Sequence, residues 1–143
     1  MERPTSDQTL MEIAVAFAKR STCLRRKVGA VIGKGGRVLS SGYVGAPPGM
    51  PHCTPDICNP SQPCLRTIHA EANAIAWAAR CGIETFGTTL YTTVSPCNDC
   101  AKLIIAAGIT RIVYLETYRD LRPLLLLQEA GVQLFPPLFP VHA

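Results

Sequence analysis

No stretch of the sequence is apolar for long enough to cross a bilayer. Its longest runs, Ala74 to Ala79 and Leu124 to Leu127, fall well short of the roughly 20 residues a spanning helix needs. A charged start followed by an apolar stretch and a small-residue cleavage site is also missing. Secretion is therefore not expected, and a cytoplasmic location is. Internal repeats and low-complexity tracts are absent, which argues against solenoids and fibrous chains. Charge of one sign is scarce: 14 Lys and Arg against 10 Asp and Glu leave a net charge of +4. That balance suits an anionic ligand but lacks the basic stripe expected of a nucleic-acid binder. What remains is an ordinary globular composition. With 48% hydrophobic and 17% charged residues, 143 positions suffice for one domain spanning 1–143 with its own core.

Cysteine is plentiful, and its seven copies need a reason other than disulfides in a chain expected to stay in a reducing compartment. Metal binding is the better default. An odd number also leaves at least one thiol without a disulfide partner.

The hydrophobic spacing predicts alternating helices and strands. Thr5 to Ser21 reads as a helix, with Leu10, Ile13, Ala14, Phe17 and Ala18 at three- and four-residue intervals. Val28 to Ile32 and Val38 to Tyr43 read as strands joined by the glycine-rich connection Gly33-Lys34-Gly35-Gly36. A loop from Gly45 to about Arg66 follows, holding six of the 12 prolines and three cysteines. Loops that long are usually functional or held by something other than their own backbone pairing. His69 to Cys81 reads as a helix whose middle, Ala74 to Ala79, is apolar on every side and therefore expected to be buried, Trp77 and Cys81 included. The rest reads as strand Thr89 to Val94, helix Pro96 to Ala107, strand Arg111 to Leu115, helix Leu121 to Ala130 and strand Val132 to Phe135. This order predicts an α/β domain with a partly parallel sheet.

Two short motifs carry chemistry. His69-Ala70-Glu71 opens one predicted helix and Pro96-Cys97-Asn98-Asp99-Cys100 opens the next. Zinc takes four ligands, and a catalytic site keeps one place for water. His69, Cys97 and Cys100 supply three, with the two sulfurs one helical turn apart. A helix start also stabilises thiolates through its partial positive charge. Pro96 suits the first helical position and Ser95 is the expected cap. Glu71 sits two residues from His69, placed to move protons beside the metal rather than to bind it.

His-x-Glu followed by Pro-Cys-x-x-Cys is the signature of zinc deaminases. The wider sequence resembles deoxycytidylate deaminases of the bacterial and phage type. The matching segments are Arg20-Ser21-Thr22-Cys23, Val28-Gly29-Ala30, Gly42-Tyr43, His52-Cys53, Arg66 to Glu71, Ser95-Pro96-Cys97 and Ala107-Gly108-Ile109. The resemblance implies a three-layer α/β/α cytidine-deaminase-like domain with a central mixed sheet of about five strands. It implies a catalytic Zn2+ held by His69, Cys97 and Cys100, with Glu71 relaying protons as dCMP is hydrolysed to dUMP. It also implies a homo-oligomer, often a hexamer, and dCTP or dTTP as effectors. A structural zinc site in which Glu71 is only a solvated helix residue is the plainer alternative.

Cys23, Cys53, Cys58 and Cys64 could close a second, structural Zn2+ site, which would order the proline-rich loop. Relatives resemble this in having a second zinc with ligands at the positions of Cys23 and Cys53, and His52 competes for the fourth place. Free buried thiols are the alternative. For the nucleotide, the basic run Arg25-Arg26-Lys27 is a phosphate partner or a solvated turn. The resemblance adds Ala70, Ser95 and Arg80, the last beside Trp77 near the pocket or a subunit interface. Tyr118 either stacks on the base, as tyrosines do in polynucleotide-acting relatives, or is plain surface.

One position departs from the family. The second strand typically ends Gly-Tyr-Asn-Gly, where this chain has Gly42-Tyr43-Val44-Gly45. A valine side chain cannot hydrogen-bond, which leaves the zinc chemistry intact but loosens the expectation for base and sugar, and for triphosphate control. It favours a 5-substituted dCMP, or dCTP, as an alternative substrate. A tRNA adenosine deaminase shares the zinc motifs, but the apolar tail from Leu134 to Pro140 and the cysteine loop do not suit one. A zinc-stapled module that binds a partner without catalysis is the remaining rival.

Overall fold

The computed structural model describes residues 2–136. Helix α1, Ser6–Ala18, starts at Thr5, whose side chain accepts from the Gln8 backbone while the Gln8 side chain accepts from that of Thr5. Strands β1, Gly29–Lys34, and β2, Arg37–Tyr43, form a hairpin. Its two turn residues, Gly35 and Gly36, have φ of 59° and 74°, which glycine adopts without strain. After the long loop come α2, Ala70–Arg80; β3, Thr89–Val94; α3, Asn98–Ala106; β4, Arg111–Glu116; α4, Arg122–Glu129; and β5, Gln133–Phe135.

The strands form one mixed sheet in the order β2-β1-β3-β4-β5, antiparallel across β2-β1-β3 and parallel across β3-β4-β5. Alternate side chains leave each strand on opposite faces. Val31, Tyr91 and Val113 meet Leu10, Met11 and Ala14 of α1. On the other face Ala30, Ile32, Leu90 and Ile112 meet Ala70 and Ala74 of α2, Ala101 and Ile104 of α3, and Leu127 of α4. The three-layer α/β/α arrangement expected from the family resemblance is present, with five strands. Element ends differ from those expected by three residues at most, and β3 not at all.

Two contacts fix the layers. Asp7 of α1 takes Tyr91 Oη at 2.7 Å and both terminal nitrogens of Arg111, at 3.0 Å and 2.5 Å. The Arg111 guanidinium holds the Asp7 carboxyl below its ordinary range. At Gly42, a Cβ would stand 2.5 Å from the Ala70 carbonyl and 2.6 Å from the Ala74 nitrogen, so the start of α2 lies directly on β2.

The expectation that α2 is buried on every side is corrected. Ala70, Glu71, Ala74 and Ala78 are buried, whereas Ala76, Trp77, Ala79 and Arg80 are exposed, Trp77 by 44%. A helix in an outer layer has one side on the sheet, and nothing in the described chain covers the other. Cys81 ends α2 and is exposed, not core. Among the described residues no helix is long and apolar enough to cross a membrane. Of the apolar tail from Leu134 to Pro140, residues 137–140 lie outside the described residues.

Candidate active site

The site forms where two helices begin. His69 is the N-cap of α2 and Cys97 the N-cap of α3, both extended, with ψ of 154° and 174°. Neither side chain caps its helix, so both are free to turn toward each other. Cys100 follows in the first turn of α3 and is buried. The residue spacing predicts His69 inside the helix and Ser95 at the cap of the next. The structure starts α3 two residues later, and Ser95 has another task. Its hydroxyl accepts from the Tyr118 backbone at 2.6 Å, and its N–H donates to the Glu116 carbonyl at 2.8 Å, tying the end of β4 to the site.

His69 Nδ1 lies 3.3 Å from Cys97 Sγ and 3.4 Å from Cys100 Sγ, and all three atoms fall within 4.8 Å of one another. Zinc bonds of ~2.3 Å to sulfur and ~2.0–2.1 Å to nitrogen, at tetrahedral angles, put neighbouring ligands about 3.5 Å apart. The trio therefore fits zinc by spacing as well as by donor type. Charge agrees. The neighbouring Cys100 thiol, then His69, hold the Cys97 thiol down at about 4. Cys97, together with burial, pushes the Cys100 thiol up. Two adjacent sulfurs resist a second negative charge, and a divalent cation removes that resistance.

Glu71 is 4% exposed in the first turn of α2, with Thr92 Oγ1 3.2 Å from its Oε1. Burial pushes its carboxyl up, with the Cys100 thiol and then His69 opposing. An extended N-cap before a helical residue lets His69 and Glu71, two positions apart, reach the same space.

A small pocket beside the trio is lined by Arg26, Val28, Val44, His69, Ala70, Glu71, Ser95 and Cys97. Its volume is about 10 Å³, room for roughly one water. Arg26, Val44, Ala70 and Ser95, all singled out in the sequence, are thus brought together. Tyr118 does not line the pocket, but its ring lies 5.5 Å from the Arg26 guanidinium. Arg80 is not brought in: it sits at the far end of α2, exposed, over Trp77 at 5.0 Å. Val28 and Thr92 were missed as site residues. The period of two in β3, which puts Thr92 on the same face as the core residue Leu90, was the available signal for the second.

Cys23, Cys53, Cys58 and Cys64 line a larger cavity of about 300 Å³ with Arg25, whose Nε lies 3.4 Å from Cys58 Sγ. His52 is exposed and does not line it. Hydrogen bonds from Thr67 hold the Cys64 thiol down at about 7. Among the described residues, only the His69 trio brings three such donors within 4.8 Å.

Comparison with known proteins agrees with this geometry. Residues 4–116 match the sequence model described as the cytidine and deoxycytidylate deaminase zinc-binding region. ComE operon protein 2 of Bacillus subtilis (strain 168) is 42% identical over 120 residues, covering 83% of this chain and 64% of its own length. Deoxycytidylate deaminase of Mycobacterium phage D29 is 42% identical over 126 residues, covering 80% of this chain and 97% of its own. The crystal structure of dCMP deaminase from cyanophage S-TIM5, in complex with dCMP and dUMP, superposes with a TM-score of 0.83. It is 33% identical and covers 96% of this chain and all of that one. Matched by that model over residues 4–116, this chain belongs to the cytidine and deoxycytidylate deaminases.

Proposed function

We propose that the chain hydrolyses dCMP to dUMP and ammonia. The observation that carries this reading is the convergence of His69, Cys97 and Cys100 beside a buried glutamate, in a pocket open to Arg26. His69 Nδ1 and the two sulfurs would hold zinc, which supplies the Lewis acidity that makes water a nucleophile near neutral pH. Glu71 takes a proton from that water and passes it to ring N3 as the oxygen joins C4. It then delivers the second proton to the amino group, so that the C4–N bond breaks and ammonia leaves. Burial keeps competing solvent away from the carboxyl.

Arg26, exposed yet at the pocket rim, is the phosphate partner in this reading, with the Tyr118 ring beneath it. Ammonia release measured across dCMP, dCTP, CMP and deoxycytidine tests the assignment: dCMP should be turned over fastest, and equal turnover of deoxycytidine would remove the phosphate role. A second reading, a 5-substituted dCMP, is favoured by Val28 and Val44, which give the pocket an apolar wall. Including 5-methyl-dCMP in the panel decides it.

Two further features belong to this reading. A structural zinc among Cys23, Cys53, Cys58 and Cys64 is supported by the cavity those four share. A homo-oligomer is supported by the exposed outer side of α2 and the apolar groove next to it, lined by Ile75, Ile83, Phe86 and Leu103.

A further inference from the structure

Thr92 is fully buried in β3, and its hydroxyl lies 3.2 Å from Glu71 Oε1 and 2.8 Å from the Val94 carbonyl. The Val94 carbonyl alone is enough to satisfy a buried hydroxyl. The second contact is surplus to that need and falls on the one carboxyl to which the proposed deamination assigns the proton transfers. Packing cannot set the rotation of a carboxyl well, because the last torsion of a glutamate is broad and roughly two-fold. A hydrogen bond can. A hydroxyl carries one proton and two lone pairs. Donated to Glu71 Oε1, that proton leaves the other carboxyl oxygen to carry the proton in transit. The partnership is therefore kept on both sides of a proton transfer, without movement of either side chain.

We propose that Thr92 is a positioning residue: its Oγ1–Oε1 hydrogen bond fixes the rotation of the Glu71 carboxyl toward the reacting ring. β3 supplies the rigidity, since Thr92 is held between β1 and β4 by its pairings with Ala30 and Tyr114. The inference rests on the deaminase reading and adds to it a residue outside both zinc motifs.

Thr92→Val removes the hydroxyl, keeps the volume and suits a strand. With dCMP as substrate we expect kcat to fall about tenfold or more, the range for a lost hydrogen bond to a charged group. KM should stay within about twofold, because the hydroxyl acts through Glu71 and not on the nucleotide. Bound zinc should be unchanged, and Thr92→Ser should restore most of kcat. Thr92→Ala is the second hydroxyl-free variant, with the same expectation should the valine protein not fold. A valine or alanine variant with wild-type kcat overturns the proposal, even if its thermal midpoint drops, since a hydroxyl that serves only Val94 gives that result. A serine variant as slow as the valine one overturns it as well. Wild-type protein that releases no ammonia from any cytosine nucleotide would instead sink the deaminase reading, so the two failures are distinguishable.

Discussion

Two groups of thiol-bearing side chains gather in the chain, and they are built differently. His69, Cys97 and Cys100 stand at the starts of α2 and α3, helices seated on the sheet. Cys53, Cys58 and Cys64 stand in a loop that has turns but no helix or strand between the Gly45–Ile68 bridge and its far end, and Cys23 reaches them from beyond α1. The first group converges to ligand spacing, while the second lines a shared cavity without doing so. Donors carried on regular elements are placed by the packing of those elements. Donors carried on a loop have only one another, and whatever they bind, to place them.

Three variants sharpen that contrast. The largest effect is expected from Glu71→Gln, which removes the proton carrier without touching a ligand. Activity on dCMP should fall by about 10²–10⁴-fold while the zinc content measured by mass spectrometry stays at the wild-type value. Cys58→Ser addresses the loop. It should cost one zinc per chain and lower the thermal midpoint by roughly 5–10 °C, with the catalytic zinc retained. Unchanged zinc content in this variant would mean that the loop thiols hold no metal. The smallest effect comes from Gly42→Ala, whose added carbon meets the backbone at the start of α2. Overpacking there should lower stability by about 1–3 kcal/mol in denaturant titration. Because His69 and Glu71 ride on that segment, kcat should fall along with it.

Much of the site was legible in the sequence because short motifs need little tertiary context. His69-x-Glu71 and Cys97-x-x-Cys100 mark the three donors and the buried carboxyl that the structure brings together, and the alternating pattern yields the helices and strands of the described residues in order. What was not legible depended on neighbours. Trp77 and Cys81 look like core residues in an apolar stretch, yet exposure follows from which layer lies over α2, and none in the described chain lies over its outer side. Ser95 has the chemistry of a helix cap, but the loop after β4 takes its hydroxyl instead. His69 and Cys97 read as helical, whereas their extended backbones are what let the side chains meet. Thr92 reads as an ordinary strand residue because its partner, Glu71, is 21 positions away in the chain. Arg80 sits at the far end of α2 from the pocket, on the exposed side of the helix, where the resemblance also allows a subunit interface.

In the proposed reaction the His69–Cys97–Cys100 trio makes a buried glutamate part of a deaminating site by holding zinc beside it. The direct measurement is ammonia release from dCMP by protein stripped of metal with a chelator in reducing buffer, then resupplied with zinc. Activity should disappear with the metal and return as zinc is restored, as this role for the metal requires. Undiminished turnover by the metal-free protein would contradict it.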